Sequence, residues 1–191
     1  MDDQTAITRI KQGDRAAIAE LVKRYQVKAV HSAFLILHDR SLAEEAAQTA
    51  FVRTMEKIHQ YDQQRPFAPW FFKIVINIAI KMAKNQNQLT SLDDEPAGDA
   101  LVLAAWMVDP QLHPERQLEI NESKRLIWSA LHQLPPEQRA VVVMRYFLDM
   151  SETDMATRLE RPVSTVKWWL RSARERLGIL LRASRYFEDH K

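Results

Sequence analysis

Glycine is almost absent from this chain, with three in 191 residues. Tight β-hairpins draw on residues that enter the left-handed region of backbone space without strain, and glycine is the chief of these. A chain so poor in it, with few β-type turn patterns, is expected to be all-helical. The apolar residues agree. From Ala17 to Leu37, Ile18, Leu21, Val22, Tyr25, Ala29, Ala33, Phe34 and Leu37 recur at helical spacing. That predicts a long helix with one buried face, preceded by a short segment ending at Gly13-Asp14 and broken at His38-Asp39-Arg40. Ser41-Leu42-Ala43-Glu44 reads as a capping box for a helix running to about Ile58. Ala43, Ala46, Ala47, Ala50, Phe51, Met55 and Ile58 make its core face. Glu44, Glu45, Gln48, Arg53, Glu56 and Lys57 face out. On spacing alone the helix dipole accounts for Glu44 and Glu45; a patch for a partner helix is the alternative.

Tyr61 to Phe67 is a polar loop. Pro69 then suits the start of a helix that is apolar nearly all round, through Trp70, Phe71, Phe72, Ile74, Val75, Ile76, Ile78 and Ile80. Phe71, Ile74 and Ile78 form one seam, which Tyr61, Phe67, Trp70 and Phe72 cannot all join. Aromatics left beside Lys73, Lys81 and Lys84 suit single-stranded nucleic acid, where base stacking contributes on the order of 1–3 kcal/mol per base.

Periodicity fails after Lys84: residues 85–100, NQNQLTSLDDEPAGDA, are polar and acidic with Pro96 and Gly98 as breakers, and read as a linker. The stretch that continues it, Leu101 to Val108, is a short apolar patch, either a docked helical turn or an interaction segment. Leu118, Ile120, Leu126, Ile127, Ala130, Leu131 and Leu134 then resume a helix, and Pro135-Pro136 separates it from the next. Ser151-Glu152-Thr153-Asp154 is a second cap-like start, and Glu160-Arg161-Pro162 a tight corner. Beyond the corner, Val166, Leu170, Ala173 and Leu177 form an apolar seam, flanked by Lys167, Arg171 and Arg174 with Ser164 and Trp168 further round. A short helix, a turn and a basic helix make a helix-turn-helix, whose second helix enters the major groove N-terminal residues first.

Charge follows the same division. Residues 1–90 carry 13 Lys/Arg and 9 Asp/Glu (+4), residues 91–133 carry 3 and 8 (−5), and residues 134–191 carry 11 and 8 (+3). Two mildly basic modules flank an acidic middle, so the modules are the expected anion binders. There is no cysteine, hence no thiolate ligand or nucleophile. Histidines are scattered without ligand spacing, and no glycine-rich phosphate loop occurs. The polar N-terminus is not a signal peptide, and no run of about 18 apolar residues is present. The expectation is a cytoplasmic, non-enzymatic protein with no cofactor, no metal and no membrane insertion.

Three motifs in order resemble a known family. Asp39 to Phe51, DRSLAEEAAQTAF, resembles region 2.2 of the extracytoplasmic-function (group 4) sigma factors of bacterial RNA polymerase. Pro66 to Asn77, PFAPWFFKIVIN, resembles their region 2.3–2.4, and Leu134 to Leu177 resembles region 4.2. The resemblance implies a region 2 bundle over residues 10–88, a linker over 89–114 and a region 4 helix-turn-helix over 115–182. It implies three partners: the β′ and β subunits of core polymerase, promoter DNA and an anti-sigma factor. Asp39, Glu44, Glu45, Gln48 and Phe51 would meet the β′ coiled coil. Tyr61, Arg65, Phe67, Trp70, Lys73, Asn77, Lys81 and Lys84 would capture unpaired minus-10 bases. Ser164, Thr165, Lys167, Trp168, Arg171 and Arg174 would read the minus-35 duplex. The chain departs from the family pattern at Lys81, where aspartate is usual, and at Trp168-Trp169, where serine and arginine are usual.

Overall fold

The computed structural model describes residues 2–89 and 126–188, and among them every regular element is helical. The chain divides into two compact units between Gln86 and Asn87. Residues 85–89, expected to open the linker, continue α4 instead; the rest of the linker, its Leu101–Val108 patch and the positions of Leu118 and Ile120 lie outside the described residues.

The first unit holds α1 (Asp3–Lys11), α2 (Ile18–Leu37), α3 (Arg40–Lys57) and α4 (Phe67–Leu89), with single 3-10 turns at Arg15–Ala17 and Ile58–Gln60. Helix α1 is a correction to the sequence expectation, which left residues before Gly13 as a polar segment. Its apolar residues are few but all buried: Ala6 and Ile7 fully, Ile10 nearly so. Asp2 caps it by accepting from the Thr5 N–H at 2.8 Å, which holds the Asp2 carboxyl below its usual range. The compact unit therefore takes in residues ahead of the expected start at residue 10.

Helix α2 ends at His38, which adopts a left-handed φ of 57° and donates its N–H to the Phe34 carbonyl at 2.9 Å. Its first half buries one stripe, but from Ala29 to Leu37 nearly every side chain is enclosed. The small faces of Ala43, Ala46, Ala47 and Ala50 let α3 lie close against it. The cap of α3 differs from the expected serine box. Asp39 Oδ1 accepts from the Leu42 N–H at 2.8 Å, and Glu44 turns to Arg40 at 2.9 Å. Aspartate wins because the chain is already extended at residue 39 (φ −135°, ψ 124°), the geometry an N-cap needs.

The second unit contains α5 (described over 126–132), α6 (Pro136–Tyr146), α7 (Glu152–Leu159) and α8 (Val163–Glu188). Pro136 sits in the first turn of α6, where its missing N–H costs nothing. Ser151 caps α7 as expected, with Oγ accepting from the Asp154 N–H at 3.1 Å. Glu160 ends α7 in the left-handed region at φ 54°, and α8 begins three residues later. Trp128, Leu134, Val141, Met144, Met155, Val166, Leu170 and Ala173 form the core, so the apolar seam of α8 is inward as the sequence predicts.

Candidate nucleic-acid interface

The aromatic residues around α4 sort into a core cluster and one edge residue. Phe71 is fully buried, with ring centroids 4.7 Å from Phe51, 5.7 Å from Phe67 and from Tyr25, and 5.4 Å from Phe72. Tyr61 meets Phe67 edge-on at 5.6 Å and Trp70 at 5.1 Å. Tyr61 is 3% exposed, Phe67 2% and Phe51 8%. Phe51 thus lies on the core face of α3, and Tyr61 and Phe67, expected to face unpaired bases, have their rings enclosed in this conformation. The seam of α4 was too narrow for them, but α2, the 3-10 turn after α3 and helix α1 supply the missing apolar walls. Burial holds the Tyr61 hydroxyl above its usual pKa, with the nearby carboxylates of Asp3 and Asp62 adding to the effect.

The polar residues of α4 are arranged differently. At about 100° per residue, Trp70, Lys73, Asn77, Lys81 and Lys84 fall within an arc of roughly 80°. They run about 21 Å along the helix at about 1.5 Å per residue. Asn77, Lys81 and Lys84 are exposed, and Trp70 and Lys73 are partly buried. Arg65 is exposed in the loop before the helix, within 3.4 Å of Asp62. One stripe thus offers an aromatic edge at one end and cations along the rest. Its opposite side is the anchored core of Phe71, Val75, Ile78 and Ala79.

The outer face of α3 carries Glu44, Glu45 and Gln48, all exposed. Asp39 is set apart from them, its carboxylate committed to the helix cap. Val52, four residues beyond Gln48, continues the same face and is 58% exposed. Sequence reasoning passed over it; its signal was an apolar residue on the polar side of an otherwise regular pattern.

On α8, Ser164, Lys167, Trp168, Arg171 and Arg174 share an arc of about 120°, with Thr165 offset toward the half-buried Trp169. Trp168, at one margin of that arc, is 61% exposed. Each cation has a local partner. Lys167 Nζ lies 4.0 Å from Glu152, Arg171 Nε donates to Glu175 at 2.9 Å, and Arg174 Nε donates to the Tyr146 hydroxyl at 2.9 Å. Tyr146, at the end of α6 and 64% exposed, was absent from the sequence expectation. It enters the surface only because α6 packs against α8. Behind this face Gln138 Nε2 donates to Ser172 Oγ at 3.2 Å, tying the same two helices. No cluster of three or more metal-ligating side chains occurs among the described residues, and no described helix is long and apolar enough to cross a membrane.

Each unit contains most or all of the match to one family model. Residues 21–88 match Sigma-70 region 2, and residues 124–177 match Sigma-70 region 4. The extracytoplasmic-function (ECF) RNA polymerase sigma factor SigW of Bacillus subtilis is 30% identical over 92% of this chain and 95% of its own length. The RNA polymerase sigma-H factor of Pseudomonas aeruginosa is 28% identical over 91% and 90%. Among solved structures, CnrH in complex with the cytosolic domain of CnrY superposes with a TM-score of 0.63 at 22% identity, covering 95% of this chain and 97% of that one. The sigma factor RpoE from Bartonella quintana, in complex with the anti-sigma factor NepR, gives 0.61 at 17%, covering 86% and 96%.

Proposed function

This chain belongs to the extracytoplasmic-function sigma factors of bacterial RNA polymerase, transcription initiation factors that are not themselves enzymes, and we propose that its two units divide promoter reading between them. The region 2 unit captures unpaired minus-10 bases along α4, and the region 4 unit reads the minus-35 duplex with α8. The boundaries we assign are 10–88 for the first function and 115–182 for the second, with the acidic stretch between as a connector. The observation that carries the reading is the α4 stripe. Trp70 offers a stacking face where strand separation would begin, and Lys73, Lys81 and Lys84 follow at spacings that track a phosphate backbone. Strand opening then follows from binding: bases held on the stripe are withdrawn from the duplex, so their capture energy offsets unpairing.

On α8 the proposed roles divide by chemistry. Lys167, Arg171 and Arg174 neutralise phosphates, exchanging Glu152, Glu175 and Tyr146 for the DNA. Ser164 and Thr165 at the helix start, and Trp168 about a turn further on, face the base edges, where an indole suits a thymine methyl. The exposed Glu44, Glu45 and Gln48 of α3 form the contact to the β′ coiled coil, with Asp39 fixing the helix that carries them. Two of the structural neighbours are complexes with CnrY and with the anti-sigma factor NepR. On that likeness we include an anti-sigma factor among the partners.

The test is reconstitution. Purified chain added to bacterial core polymerase should direct initiation at promoters found by mapping transcript starts after its overexpression. Trp70→Ala should slow conversion of the closed to the open complex while leaving closed-complex affinity in place. Equal losses in both steps would make Trp70 a packing residue only and remove the stacking role.

A further inference from the structure

Three side chains of α1 point to one place. Gln4, Thr8 and Lys11 lie within about a 60° arc of that helix, and all three engage the loop between α3 and α4. Gln4 Nε2 donates to the Gln63 carbonyl at 2.9 Å, Gln63 Nε2 donates to Thr8 Oγ1 at 3.0 Å, and Lys11 Nζ donates to the Tyr61 carbonyl at 2.9 Å. The Lys11 ammonium also stands 5.9 Å from the centre of the Tyr61 ring. Helix α1 is a firm base for such a grip. Its apolar side is buried through Ala6, Ile7 and Ile10, and Asp3 accepts hydrogen bonds from the Tyr25 hydroxyl and from Arg24. The loop is a compact object to hold. The Tyr61 hydroxyl donates to the Arg65 carbonyl, the Arg65 N–H donates to the Asp62 carbonyl at 3.1 Å, and the Gln64 N–H donates to Asp62 Oδ1 at 2.9 Å. The grip thus fixes a preformed turn whose outer corner is the exposed Arg65.

We propose that α1 is a positioning element for base capture, with Gln4, Thr8 and Lys11 holding the 61–65 turn so that Arg65 and the adjacent start of α4 meet an unpaired strand in a fixed geometry. The proposal rests on the reading of α4 and its preceding loop as the minus-10 surface. A loop free to move would lose conformational entropy on each binding event; a loop already held by α1 has lost it on folding. None of the three α1 side chains need touch DNA. They act by removing motion from residues that do, so their loss weakens capture of single strands without weakening duplex or polymerase binding.

The experiment uses holoenzyme assembled from core polymerase and the full chain, and the probe is the single-stranded DNA 12-mer that wild-type holoenzyme selects from a randomised pool. The variant is Gln4→Met/Thr8→Val/Lys11→Met, which keeps side-chain bulk and removes the polar grips; Lys11→Arg is the conservative partner that keeps a donor. Arg65→Ala is measured alongside. Expected is a roughly three- to tenfold weaker Kd of the triple variant for the 12-mer, unchanged core binding, and near wild-type capture by Lys11→Arg. Amide exchange over 61–65 should rise in the triple variant while α2 and α3 stay protected. If Arg65→Ala weakens capture but the triple variant does not, the positioning role of α1 fails and the minus-10 reading stands. If wild-type selects no 12-mer, or Arg65→Ala binds it unchanged, the minus-10 reading of the loop fails and the positioning role with it.

Discussion

The phosphate role proposed for α8 makes promoter affinity depend on salt by a calculable amount. Take Lys167→Ala with Arg171→Ala. Both side chains are largely exposed, and their ion pairs to Glu152 and Glu175 are surface pairs. Such pairs contribute about 0–1 kcal/mol to folding, so thermal stability should hardly move. Promoter affinity should fall, and the fall should depend on salt. Each phosphate contact contributes about −0.9 to the slope of log K against log salt, so losing two flattens it by about 1.8. Between about 50 and about 200 mM salt, some 0.6 of a log unit, the double variant's deficit should shrink about twelvefold, and each single variant's about 3.5-fold. The assay is closed-complex affinity of holoenzyme for a mapped promoter duplex at four salt concentrations, with wild-type slope as the reference for contacts made elsewhere. Trp168→Ala is the uncharged control: it should lower affinity with no change of slope. Parallel lines for wild-type and double variant would refute the reasoning, since a deficit independent of salt cannot come from lost phosphate contacts.

Other outcomes follow from the packing and the titrating groups. Phe71→Ala removes the fully buried centre of the aromatic cluster and should destabilise the region 2 unit by about 3–5 kcal/mol, read by urea unfolding; a loss under about 1 kcal/mol would mean that the neighbouring rings close over the gap. Burial, then the hydrogen bond to Asp3, raises the Tyr25 hydroxyl well above its usual value of about 10. Its contribution to stability is therefore present below about pH 10 and lost as pH rises through the folded value. Absorbance titration at alkaline pH should show Tyr25 ionising late, and Tyr25→Phe should delete that late step. Arg139 is 5% exposed, and burial lowers its guanidinium to about 10. A lowered cation weakens the fold while charged, so Arg139→Met should be neutral or stabilising near pH 7, seen as an unchanged or raised Tm; a clear drop would show that the guanidinium is well compensated.

The α-helical class, the two-module layout and the inward seam of α8 were legible in the chain, because helical period and breaker residues are local properties. So was the family, because its motifs are short contiguous strings. Local reading failed where the answer depended on what lies across a gap. The cap of α3 moved from Ser41 to Asp39, since either residue could serve by type and only the backbone path chose between them. Helix α1 was missed because its burying face is three short residues, too weak a pattern to stand out, yet sufficient once α2 offers a surface.

The sequence by itself determined which residues carry charge and aromatic area, and that these recur on helices. Tertiary structure alone decided which of them remain available. Tyr61 and Phe67 look like Trp70 in a string, but walls from α1 and α2 enclose the first two and leave the third at the edge. Tyr146, unremarkable in sequence, joins the α8 surface by packing 28 positions away from Arg174. Burial is a property of distances between distant segments. A periodic string fixes the face a residue occupies on its own helix, while the neighbouring helices fix whether that face meets solvent.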